Sequence, residues 1–81
     1  MTREDINGQL QGIFRRVLDD PSITLTDTMT AHDHAAWDSL SHIQLIVEVE
    51  RHFTTRFSNA EVARLANVGD LVSLIERRKG A

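Results

Sequence analysis

The sequence predicts an all-α fold: a small bundle of three main helices and one short helix, with a long loop between the first and the second. Three observations predict it. Apolar residues recur at helical spacing in three separate segments. Helix-capping residues stand where those segments begin. The one stretch with strand-like alternation has no second stretch to pair with. The 81 residues make one domain, residues 1–81.

The first helix begins after Thr2, a capping residue with Asp5 three positions on, a weaker version of the capping box. Ile6, Leu10, Ile13, Phe14, Val17 and Leu18 then repeat with a helical period. Asp19-Asp20-Pro21 ends it, because proline disfavours helix in the residue before it. Residues 20–37 read as a long loop. Within it Ser22, Thr24, Thr26, Thr28 and Thr30 alternate with Ile23, Leu25 and Met29. A lone strand would leave its backbone groups unpaired, so the three apolar residues are expected to pin a loop onto the helices. A loop this long in a small domain either counts against the assignment or points to function.

Asp38 starts the second helix, which runs to His52 or Phe53. Thr54-Thr55-Arg56-Phe57 is a connector. Ser58-Asn59-Ala60-Glu61 is a helix start, with Ser58 and Glu61 three apart. The short third helix carries Val62 and Leu65. Asn67 caps the last helix, and Asp70 sits in its first turn, where the dipole favours an acid. Leu71, Leu74, Ile75 and Arg78 follow at helical spacing, with Gly80 past the end.

Composition narrows the function. A chain this small buries only about 60–65% of its unfolded surface, which leaves no room for a core plus a deep enzyme cleft. It has no Cys, which excludes disulfides and thiolate metal sites and fits a reducing compartment. No apolar run approaches the roughly 20 residues that span a bilayer. Met1-Thr2-Arg3-Glu4-Asp5 lacks the regions of a signal peptide. A soluble, monomeric, cytoplasmic protein is expected. The net charge of -3 argues against nucleic acid, which demands a concentrated basic patch. The one basic cluster, Arg77-Arg78-Lys79, complements the negative end of the last helix.

The second helix is richer in apolar residues than one buried face requires. Leu45, Val49 and Phe53 form a stripe expected to face the core, with Ile46 on its edge. Leu40, Ile43 and Val47 form another, rotated from the first. Either some of them reach the surface and dock partners, or the long loop buries all three. Ser39 follows the capping Asp38, so it falls at the first helical position. Unpaired backbone N–H groups and the dipole would favour a phosphate there. On local chemistry alone Ser39 is better explained as a polar residue in a first turn.

Asp38-Ser39-Leu40, followed by Ile43, Leu45, Ile46, Val49 and Phe53, resembles the modification motif and second helix of acyl carrier proteins. The resemblance spans nearly the whole chain, including the long loop and the short third helix. It implies that Ser39 bears a 4′-phosphopantetheine arm through a phosphodiester, installed from coenzyme A by a phosphopantetheinyl transferase. The arm would hold an acyl group as a thioester and present it to a loading enzyme and downstream synthases. Tethering replaces diffusion with a high effective concentration. It further implies that acidic residues of the second helix, here Asp38, Glu48 and Glu50, meet basic patches on partners. Partner docking is expected at Asp38, Leu40, Ile43, Val47 and Glu48. Positions often acidic in fatty-acid carriers are Ser41 and Gln44, and Arg51 and His52 stand where acids are common. Trp37 replaces a small residue. These departures point to a specialised acyl, polyketide or lipid pathway rather than housekeeping fatty acid biosynthesis. A peptidyl or aminoacyl carrier of the same fold is the neighbouring alternative.

Rival constellations are weaker. His32-Asp33-His34 lacks the fixed geometry of a metal site and reads as a solvated loop. His42 lies three residues beyond Ser39, but no orienting third group completes a nucleophile–base arrangement, so a solvated His42 that tunes charge near the arm is expected. Trp37 either shields the arm, greets a partner or anchors the loop. An unmodified helical docking module, using Leu40, Ile43 and Val47, is the reading from another class.

Overall fold

Four α-helices form in the order the sequence predicts: α1 (Arg3–Val17), α2 (Ser39–Phe53), α3 (Asn59–Ala63) and α4 (Val68–Arg78). The computed structural model describes residues 2–79. The expected position of Gly80 past the last helix lies outside the described residues. There is no strand among the described residues.

Each start has its chemical cause. Thr2 and Asp5 form a complete capping box at α1, as do Ser58 and Glu61 at α3. Asn67 accepts from the Asp70 N–H at the start of α4. The end of α1 differs in cause from the proline expected. Asp19 adopts a left-handed conformation (φ 53°), and its neighbour's N–H reaches back to the Arg15 carbonyl (3.0 Å). This six-residue closure stops the helix before Pro21 is reached. The same closure ends α2, where Thr54 is left-handed (φ 52°) and the Thr55 N–H donates to the Glu50 carbonyl (3.0 Å). Leu65 is not in α3: Arg64 closes that helix, and Leu65 follows it, half-buried against the core.

α1 packs against both α2 and α4. Its Ile6, Leu10, Ile13 and Phe14 meet Leu45, Val49 and Phe53 of α2 and Val68, Leu71, Val72 and Ile75 of α4 in one core. The i, i+4 spacing of these residues puts them on single helix faces. Distant polar groups close the ends. Arg3 reaches Ser73 Oγ (2.9 Å) and Glu76 (3.3 Å) on α4, and Lys79 Nζ donates to the Phe53 carbonyl (2.8 Å) at the end of α2. Arg78 pairs with Glu61 and donates to the Arg56 carbonyl. The basic cluster of α4 is thus partly a set of caps for other elements.

The loop of residues 18–38 is docked along its length. Ile23 and Leu25 are buried and Met29 packs against the core, as the sequence implies. Its backbone is held by polar side chains of α1. Leu25 N–H donates to Gln11 Oε1 (3.0 Å), and Arg15 Nε donates to the Ile23 carbonyl (2.8 Å). On its other side, the first N–H groups of α4 find their acceptors in the loop. Val68 donates to the Met29 carbonyl and Gly69 to the Asp27 carbonyl, both at 2.9 Å. A helix otherwise leaves these donors unpaired. Gly69 permits the approach, because a Cβ there would stand 3.0 Å from the Asp27 carbonyl oxygen. The loop also holds one short 3₁₀ turn, Ala31–Asp33, which the sequence reading passes over.

Three predictions follow from these elements. Thr54→Gly should raise stability by about 0.5–1 kcal/mol in urea unfolding, since glycine adopts positive φ without the steric cost of a β-branched residue. Gly69→Val should lower it by about 1–3 kcal/mol, because the side chain must displace the Asp27 backbone. The third concerns acid. Asp20 is held at about 2, first by the Ser22 hydroxyl and then by His34, and Glu61 at about 2, first by Arg78 and then by the Ser58 N–H. Both lie below their ordinary values of 3.8 and 4.5. A depressed carboxylate contributes its full stability above the unfolded value and loses it as pH falls through the folded one. Stability should therefore drop between pH 4.5 and about 2, and Glu61→Gln should flatten that drop in thermal scans against pH.

Candidate functional site

The loop delivers its last residues to the start of α2. Asp38 caps the helix from an extended conformation, and its Oδ1 accepts the Ser41 N–H at 2.9 Å. That hydrogen bond is the main reason its carboxyl lies below the ordinary range. Ser41 Oγ in turn donates to the Ala36 carbonyl (2.6 Å), which stitches the helix start to the loop. Ser41 is thus a structural link here, where the resemblance alone marks it only as a missing acid.

Ser39 is the first residue of α2 and is exposed. Among the described residues nothing pairs with its hydroxyl. It stands at the edge of an open depression of about 410 Å³, whose other walls are Ala31, His32, Trp37, Asp38 and His42. A smaller cleft of about 70 Å³ shares Ala31, Trp37 and His42 with it and is lined also by Leu65 and Leu71. The exposed, unpaired hydroxyl and the room beside it fit a covalent group attached at Ser39. They fit a nucleophile poorly, because His42 does not pair with the serine.

His42 is also not the solvated residue the sequence suggests. It is half-buried, and its Nδ1 accepts the Trp37 indole N–H at 3.2 Å. The two rings lie nearly parallel, 18° apart in plane with centroids at 6.2 Å. Trp37 itself is buried and meets Phe14 of α1 edge-on, with centroids at 5.0 Å. Trp37 is therefore the anchor of the loop on the bundle, with one edge left to wall the depression. An indole that must bury its N–H needs an acceptor, and a histidine one helical turn into α2 supplies it. That demand is the sequence signal for the pair.

The histidine cluster resolves into separate roles. His34 Nε2 lies 2.9 Å from Asp20, and its Nδ1 accepts the Ala36 N–H. Asp33 closes the 3₁₀ turn with Thr30, a Thr-x-x-Asp box that the sequence displays. Among the described residues no group of three metal-ligating side chains comes together.

The second apolar stripe of α2 is on the surface. Leu40, Ile43 and Val47 are 67%, 61% and 45% exposed, so the loop does not cover them. The carboxylates beside them are less free than the resemblance implies. Glu48 pairs with Arg16 (3.4 Å) and Arg51 (3.5 Å). Glu50 accepts the Phe57 N–H at 2.8 Å and so holds the connector. Asp38 keeps an exposed carboxylate while it caps α2. Glu48 thus shares its charge with two arginines, whereas Glu50 keeps its charge and is engaged by a backbone N–H.

The chain matches the family model described as phosphopantetheine attachment site over residues 8–75. It is 28% identical over 79 residues to an acyl carrier protein of Thermotoga maritima, with 98% of both chains covered. Its fold is similar to the solution structure of a holo acyl carrier protein from Geobacter metallireducens, with a TM-score of 0.87 and 46% sequence identity. That likeness covers 91% of this chain and 85% of the other.

The two classes of apolar residue on and before α2 should separate by mutation. Trp37→Ala should cost about 3–5 kcal/mol of unfolding free energy, the loss typical of a buried large aromatic. Leu40→Ala and Ile43→Ala should each cost within about 0.5 kcal/mol, as surface substitutions do. Urea unfolding followed by circular dichroism reads both.

Proposed function

This chain belongs to the acyl carrier protein family with its phosphopantetheine attachment site, and from that premise we propose that Ser39 carries the arm. Proteins of this family carry cargo and do not catalyse, and their cofactor is a covalently attached 4′-phosphopantetheine. The observation that supports Ser39 is its placement. It is the exposed first residue of α2, with an unpaired hydroxyl beside an open depression, inside the matched span 8–75.

The arm supplies a terminal thiol that holds an acyl group as a thioester. The protein's own residues do the rest. Asp38 and Ser41 fix the start of α2 and so hold the Ser39 hydroxyl in the open. Leu40, Ile43 and Val47 offer an apolar strip to the transferase, to the loading enzyme and to downstream synthases. Burial of such a strip, not charge, is the main attraction between carrier and partner here. Asp38 contributes an exposed carboxylate at one end of it, while Glu48 is held by Arg16 and Arg51.

The same features favour a dedicated carrier for a specialised acyl pathway over a general fatty-acid carrier. Ser41 and Gln44 carry no charge, and Arg51 stands near the end of α2. Partners that select their carrier by a dense acidic face would find little to select. We read residues 1–81 as one carrier domain that works as a monomer in the cytoplasm.

Intact mass spectrometry after incubation with coenzyme A, magnesium and a broad-specificity transferase tests the assignment. The parent should gain one phosphopantetheine and Ser39→Ala none. Addition to the alanine variant would place the arm elsewhere. Val47→Glu should raise the transferase KM about tenfold, the loss of about 1.4 kcal/mol of contact, while the fold stays intact by circular dichroism. Collapse of the fold would show that Val47 is needed in the core.

A further inference from the structure

His42 Nδ1 accepts the Trp37 indole N–H, and an imidazole nitrogen that accepts bears no proton. The neutral ring therefore keeps its proton on Nε2. Trp37 is placed to impose this tautomer because it is itself fixed: buried, and wedged edge-on against Phe14 at 5.0 Å. Among the described residues no protein group pairs with His42 Nε2, and no buried side-chain nitrogen lacks a partner, so this N–H is open to solvent. His42 and Ser39 wall the same depression and stand three residues apart on α2, hence on one helix face. The other polar residues of the depression are less well suited to donate. Asp38 is an acceptor already engaged with the Ser41 N–H, and the His32 side chain is exposed with no hydrogen bond to hold it among the described residues.

Resting on the reading of Ser39 as the attachment point, we infer that His42 is the positioning residue for the arm. Its Nε2–H donates to an oxygen of the Ser39 phosphodiester, and Trp37 holds it in the tautomer that can donate. The consequence is directional. A donor on the Trp37 side would draw the root of the arm toward the depression that Trp37 and His42 wall. This gives the Trp37–His42 pair a role: it binds a phosphodiester and biases where the arm begins.

The test uses the full 15N-labelled chain, loaded from coenzyme A and checked by intact mass, in parallel with His42→Phe, His42→Gln and Trp37→Phe. Long-range proton–nitrogen spectra report the imidazole nitrogens, and 31P spectra report the phosphodiester. Loading should shift the Nε2 resonance of His42 and leave its Nδ1 resonance nearly in place. The 31P resonance should move in His42→Phe toward its position in the unfolded loaded chain. His42→Gln, which keeps an N–H donor, should restore part of that displacement, and Trp37→Phe should reduce it by freeing the tautomer. Methyl spectra verify that each variant is folded, and His42→Gln carries the comparison should the phenylalanine variant unfold. A mass gain with an unmoved His42 Nε2, and one 31P position for all four chains, would overturn the inference while leaving Ser39 as the attachment point. No mass gain at all would overturn both.

Discussion

The Ser39 end of this bundle depends on how residues 18–38 are held to the helices. A loop of that length cannot satisfy its own backbone, and a 3₁₀ turn of three residues does little to help. The helices complete it. Gln11 and Arg15 of α1 reach its backbone from one side, and the first two N–H groups of α4 take the Met29 and Asp27 carbonyls from the other. Two sets of unpaired groups, at a helix start and in a loop, cancel one another. The loop is consequently part of the fold, and what it presents at its end is presented in a fixed place.

That place explains how a domain without a deep cleft handles a reactive cargo. Trp37 is the last anchor before α2, buried against Phe14 and bonded to His42. One residue later the chain is exposed, and Ser39 follows. Ile23, Leu25 and Trp37 of the loop are buried, while Ser39, Leu40, Ile43 and Val47 face outward. A carrier needs this division, because the group it bears must be reached by several enzymes without the fold opening.

Much of this is legible in the sequence, and the limits have physical reasons. Helix starts are plain, since a cap is a local hydrogen bond between residues three apart, as at Thr2, Asp38, Ser58 and Asn67. The core stripes are plain because period follows from helix geometry. What escapes is whatever depends on distant partners or on single backbone angles. Nothing in Asp19 or Thr54 announces a left-handed conformation, so proline appears to end α1 when Asp19 does. His42 reads as solvated until Trp37 is seen to fold onto it. Glu48 and Glu50 read as free acids until Arg16, Arg51 and the Phe57 N–H are brought near them. The serine lies between these cases. Its helical position is local and readable, whereas its exposure and the depression beside it are products of the packed loop.

Native-state hydrogen exchange of the Val68 and Gly69 amides tests the central claim most directly. Both N–H groups lie in the first turn of α4, where an undocked loop would leave them to water. Protection comparable to that of the core amides of Ile13 and Val49, lost only when the whole domain opens, is the expected result. Exchange at the rate of an unstructured chain, with Ile13 and Val49 still protected, would mean that the loop is loose and that Ser39 is not held where the structure places it.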